Sequence, residues 1–138
     1  MSKVIRTEIN SDKIIRDMDQ RVRKGRMLVK SEIARDCSPF LPKQNGYLEK
    51  SVYQSVRKDD PYLVWNLIYA RFLYYGKLMI GIISRSAWAK KHERKTVTEK
   101  SLHYRKLNPQ AGPYWFERCK PGRIKNWLRV WEKAVRDR

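Results

Sequence analysis

Apolar side chains return at spacings of three, four and seven between Ser11 and Cys37. They are Ile15, Met18, Val22, Val29, Ile33 and Cys37, with polar residues between them. That period marks one face of an α-helix and predicts a long amphipathic helix over about 11–37. Asn10 or Ser11 suits its N-cap, and Asp12 suits the positive end of its dipole. Gly25 weakens the middle. Pro39 is a stop, because the residue before a proline avoids the α region. Residues 1–10 have little pattern and read as an arm.

Residues 38–46 carry turn chemistry that ends in Asn45-Gly46. Two strands are expected after it. Over Leu48–Arg57, Val52, Gln54 and Val56 alternate with Tyr53, Ser55 and Arg57. The second strand covers about Tyr62–Leu67, with Lys58-Asp59-Asp60-Pro61 as the hairpin loop and Pro61 limiting pairing at its start. Residues 69–76 are too aromatic for a solvated loop and suit a short helix or a buried turn ending at Gly76. After Ile83 the period fades, so 77–112 reads as one long basic loop, closed by Pro109, Gly112 and Pro113. Pro121-Gly122 is expected to separate a short aromatic segment, Tyr114–Lys120, from a final helix over about Arg123–Asp137. One face of that helix carries Ile124, Trp127, Leu128, Trp131, Ala134 and Val135.

The fold class expected is therefore α+β in a single domain over 1–138. A long N-terminal helix and a C-terminal helix pack on a small antiparallel β-sheet, from which the 77–112 loop emerges. A chain of 138 residues builds one modest core. It will struggle to bury the aromatics crowded into its second half, and Tyr and Trp left outside favour a partner interface.

The formal charge of +18 makes contact with a polyanion plausible without saying anything about fold. The N-terminus turns polar at once, so no signal peptide is expected. Leu78–Ile83, the longest apolar stretch, is too short to span a bilayer. Cys37 and Cys119 lie far apart in sequence; a disulfide between them stays open, and two free thiols are the favoured state.

Candidate chemistry is sparse. His92 and His103 have no His or Cys neighbour at ligand spacing, and no phosphate-binding or nucleophile-elbow motif is present. Glu8, Asp12, Asp17, Asp19, Glu32 and Asp36 lie on or near the first helix, which is rich in Arg and Lys, and this is the pattern of a solvated face with local ion pairs. Asp59-Asp60 suits a turn. These observations predict no catalytic residue, metal site or cofactor, and no enzyme.

Four segments, in order, carry a resemblance. They are Ser38-Pro39-Phe40-Leu41-Pro42 with Gly46-Tyr47-Leu48, Val64-Trp65-Asn66 with Tyr69-Ala70-Arg71, Tyr74-Tyr75-Gly76, and Gly112-Pro113-Tyr114-Trp115-Phe116-Glu117-Arg118. Together they resemble the small minor capsid proteins of phages and prophages of Gram-positive bacteria, which are similar to head–tail joining (neck) proteins. The resemblance spans about residues 11–137, and its specificity lies in the ordered set. It implies a virion protein made in the host cytoplasm. It further implies a homo-oligomeric ring around a DNA channel, with neck, head-completion and tail proteins as neighbours and no membrane. The stretch 77–112 is long and very basic for such a protein, and transfers least.

On this reading Tyr69, Arg71, Tyr74, Tyr75, Trp88, Tyr114 and Trp115 are candidate interface residues. Arg85, Lys90, Lys91, Arg94, Lys95, Lys100, Arg105 and Lys106 are candidates for contact with DNA or a partner. The 77–112 loop that carries all eight is expected to project from the domain. The competing reading is a small basic nucleic-acid-binding phage protein, supported by the charge and opposed by the absence of a helix-turn-helix pattern. A small nuclease ranks last, for want of clustered carboxylates.

Overall fold

The computed structural model describes residues 4–42, 46–86, 91–102, 104 and 109–136. Helix α1 runs Ser11–Cys37, and Asn10 caps it by accepting a hydrogen bond from the Lys13 backbone N–H at 3.1 Å. A 3-10 turn, Ser38–Phe40, follows with Pro39 inside it. Two short helices come next, α2 (Tyr47–Ser51) and α3 (Tyr53–Val56), then α4 (Ala70–Tyr75). Strands β1 (Lys77–Gly81) and β2 (Lys95–Ser101) precede the last helix, α5 (Trp115–Arg136).

The α+β class and the N-terminal helix are as expected, but the sheet lies elsewhere in the chain. The expected strand 48–57 is helical, because the spacing of Leu48, Val52 and Val56 by four fits both a period of two and a period near 3.6. All three are buried on one side while Tyr53 and Gln54 face solvent, so the helical period wins. Gly46, at φ +79°, makes the left-handed entry that α2 requires; its expected turn partner Asn45 lies outside the described residues. Tyr62–Leu67 is extended, with exposure alternating residue by residue as in a strand, yet it belongs to no ladder.

The sheet comes instead from the segment read as a loop. β1 and β2 pair antiparallel, with Met79 opposite Val97, Ile80 opposite Thr96 and Gly81 opposite Lys95, and an irregularity between Lys77 and Met79. The sequence signal was masked because β2, Lys-Thr-Val-Thr-Glu-Lys-Ser, is polar on both faces; Met79 is the only large apolar side chain of the two strands that is buried, and Val97 is exposed. The other correction is at Pro121, which sits inside a continuous α5 rather than before it. A proline there forfeits one backbone hydrogen bond, but Trp115 and Cys119 before it and Trp127 and Ala134 after it are buried on the same face. Their packing holds the helix through the interruption.

The two long helices pack chiefly on each other, antiparallel, rather than on the sheet, which adjoins α4. Arg21 donates to the Val135 carbonyl, the Trp127 indole donates to Asp36 at 2.8 Å, and Cys37 meets Cys119 at the far end. Gly25 lets the helices close in, since a Cβ there would stand 3.1 Å from the Trp131 ring. The main core joins Cys37, Leu41, Leu48, Ala70, Trp115, Cys119 and Trp127, and Trp65 links it to a smaller cluster of Ala34, Val52 and Val56.

Candidate assembly interface

The segments that carried the resemblance are far apart in sequence and converge at one end of the α1–α5 pair. Gly76 closes α4 at φ +67°, where a Cβ would come within 2.9 Å of Pro113. The Tyr114 backbone N–H donates to the Tyr74 carbonyl at 2.8 Å. The Gly112 N–H donates to the Phe40 carbonyl at 3.2 Å. Arg118 ties the junction down by donating to the carbonyls of Pro113 at 2.7 Å, Gln110 at 2.9 Å and Phe40 at 3.3 Å, with its guanidinium over the Phe40 ring. The ordered motif set is thus the cladding of a single junction.

Aromatic rings fill that junction edge to face. Tyr74 stands at its centre, 4.7 Å from Trp115 and 5.5 Å from both Tyr75 and Tyr114; Trp65 meets Trp115 at 5.7 Å. Such pairs add about 0.5–1.5 kcal/mol each beyond burial. Outside the rings runs an open groove of about 330 Å³ lined by Leu63, Val64, Trp65, Leu67, Ala70, Arg71, Tyr74, Tyr75 and Trp115. From Pro61 to Gly76 the only charged side chain is Arg71, in a chain of net charge +18. Tyr62, Val64, Ile68, Tyr69, Tyr75 and Tyr114 leave apolar surface exposed around it, Ile68 at 94%. The indole N–H groups of Trp65 and Trp115 are buried and have no acceptor among the described residues.

Six of the seven residues named from sequence as interface candidates therefore gather here. Trp115 is buried as the groove's floor, Tyr74 is half-buried, and Tyr69, Arg71, Tyr75 and Tyr114 are exposed. Trp88 lies outside the described residues. The basic candidates do not gather with them. Arg85, Lys91, Arg94 and Lys100 are exposed on the β1–β2 hairpin or its connection, and Lys95 lies 4.3 Å over the Phe72 ring. Lys90, Arg105 and Lys106 lie outside the described residues.

Sequence reasoning missed Lys30, which is buried and donates to the carbonyls of Ser55 at 2.7 Å and Lys58 at 3.0 Å and to the Asp60 carboxylate at 2.8 Å. The hydrogen bond from Lys30, helped by one from the Tyr62 backbone, holds the Asp60 carboxyl below the usual carboxylate range. This anchor fixes the turn that launches the extended wall of the groove. A lone lysine on a helix gives no sequence signal for such a role. Burial pushes the Cys37 and Cys119 thiols up; Cys119 raises Cys37 further, whereas the hydrogen bond with Cys37 works against the rise at Cys119, and both are free.

Among the described residues no group of three or more His, Cys, Asp or Glu is placed to hold a metal ion, and no helix is long and apolar enough to cross a membrane. The model of one protein family, described as minor capsid protein, matches residues 5–135. The chain belongs to the phage minor capsid proteins. No curated protein and no solved structure matches it. Membership makes this minor capsid protein a structural component of the virion, with other virion proteins as its partners.

Proposed function

We propose that this minor capsid protein is a non-enzymatic subunit of the neck, forming a homo-oligomeric ring that joins the head to the tail around the DNA channel. The observation that carries the reading is the aromatic groove with Arg71 as its single charged lining residue, built from the segments that resemble neck proteins, on a chain otherwise dense in cations. A surface of that kind is costly to leave in water, and exposed apolar patches mark interaction sites. The β1–β2 hairpin supports the same reading. Its exposed Arg85, Lys91, Arg94 and Lys100 offer a polyanion contact away from the groove. A ring with one face sealed by its neighbours can thereby present its cations to DNA or to the next layer.

The test is a phage from which this chain has been deleted. The expected outcome is DNA-filled heads and separate tails that fail to join, with antibody against the chain labelling the head–tail junction of wild-type particles. Joined, infectious particles without the chain, or labelling elsewhere on the virion, would refute the reading.

A further inference from the structure

A second apolar surface lies at the opposite end of the molecule from the groove. Every residue from Val4 to Gln20 is exposed, although Ser11–Gln20 is regular helix. Among the described residues the last turn of α5 meets α1 at Gly25, beside Ala134, and reaches furthest toward the start of α1 at Arg21, through the Val135 carbonyl. The first ten residues of α1 therefore overhang the helix pair by about 15 Å at 1.5 Å per residue. The overhang is not polar all round. Ile14, Ile15 and Met18 lie on one face at spacings of one, three and four and are 49–57% exposed. Val4, Ile5 and Ile9 of the extended arm before it are more exposed still.

Charge sets this segment apart as well. Residues 4–20 hold three basic and four acidic side chains, whereas residues 21–138 hold twenty-eight basic and ten acidic. The overhang is thus the slightly negative, apolar part of a strongly positive protein. Its Asp17 and Asp19 flank the Ile14–Met18 face, and the groove's single charge is the cation Arg71.

We infer that the α1 overhang of one copy docks in the aromatic groove of the next copy, as an amphipathic helix laid in an apolar trough. It cannot reach its own groove. α1 is continuous to Cys37, and the groove is built around Trp115 at the start of α5, whereas the overhang projects beyond the α5 end, about 33 Å away along a helix of 22 residues. Two complementary surfaces at opposite ends make a head-to-tail contact, and a head-to-tail contact of suitable rotation closes into a ring. The inference rests on the ring reading above and names the surface that forms the ring.

The test uses the purified full chain carrying Ser11→Cys and Val64→Cys together. One site is on the overhang and one on the groove wall, both are exposed, and the native thiols are buried. A flexible bis-maleimide should give a ladder of dimers, trimers and higher species, while each single variant gives none. Adding Ile15→Asp should abolish the ladder while leaving the circular dichroism spectrum and denaturation midpoint in place. Dimers alone would show a symmetric contact and overturn the inference, as would monomers alone or a ladder indifferent to Ile15→Asp. A ladder obtained with a chain that is absent from the neck would defeat the neck reading and leave the contact standing. No ladder from a chain found at the neck would do the reverse.

Discussion

Residues 11–20 and 21–37 of α1 belong to one helix with one apolar stripe, yet only the second part is covered. From Arg21 onward the stripe meets α5 and the α2–α3 stretch. Gly25 admits the Trp131 ring, Ala34 packs with Val52 and Val56, and Asp36 receives the Trp127 indole. Before Arg21 the same period continues through Ile14, Ile15 and Met18 with nothing from the described residues against it. Helical period reports that a face is meant to be buried. It does not report whether the burying surface belongs to the same chain. The same pattern here serves folding in one half and, on the inference above, assembly in the other.

That contrast can be broken most sharply in the covered half. Trp127→Ala removes a buried ring stacked on Phe116 and leaves Asp36 without its indole donor. The expected loss is about 3–5 kcal/mol of folding stability, read as a lower denaturant midpoint with loss of cooperative folding in the extreme. Lys30→Met keeps the length of the side chain but strips two carbonyls and Asp60 of their donor. It should cost about 1–3 kcal/mol and should also weaken the groove, since the Asp60 turn sets its extended wall.

A smaller effect is expected from acid. Because Asp60 is held below its ordinary value in the folded protein, its contribution is present above the unfolded carboxylate pKa of about 3.9 and fades as pH falls through the lower folded value. Chemical denaturation between about pH 6 and pH 3 should show this loss in the wild type. It should be reduced in Lys30→Met, where the partner that depresses Asp60 is gone. The smallest stability effect belongs to the overhang. Ile14→Ser with Met18→Ser should move the midpoint by no more than about 0.5 kcal/mol per site, while sedimentation velocity shows a shift from larger species to monomer. A stability loss on the scale of Trp127→Ala would mean that the overhang is part of the fold after all.

Legibility in the sequence followed the strength of local signals. Helix α1 was readable to its ends because a 27-residue stripe, an Asn cap and a proline stop all agree. α2 and α3 were misread because residues spaced by four fit strand and helix alike, and only burial of Leu48, Val52 and Val56 together decides. The hairpin was missed because β2 buries too little to alternate in hydrophobicity. Pro121 was read as a break because the local cost of proline is visible, whereas the packing of Trp115, Cys119 and Trp127 that offsets it is not. At the candidate interface the residue types were legible. Tyr69, Arg71, Tyr74, Tyr75, Tyr114 and Trp115 were identified as a set, but which of them floors the groove and which stays exposed depends on contacts between segments dozens of residues apart.

By itself the sequence determined the α1 stripe, the family-like order of aromatic segments, the strong positive charge and its reversal within residues 4–20. These are properties of composition and spacing, and they persist whatever the chain packs against. Only the tertiary structure decided that α5 stops short of the first turns of α1, that Lys30 anchors the Asp60 turn, and that the groove and the overhang fall at opposite ends. Those facts depend on where two antiparallel helices come into register, which is set by the Gly25–Trp131 and Asp36–Trp127 contacts rather than by any local preference.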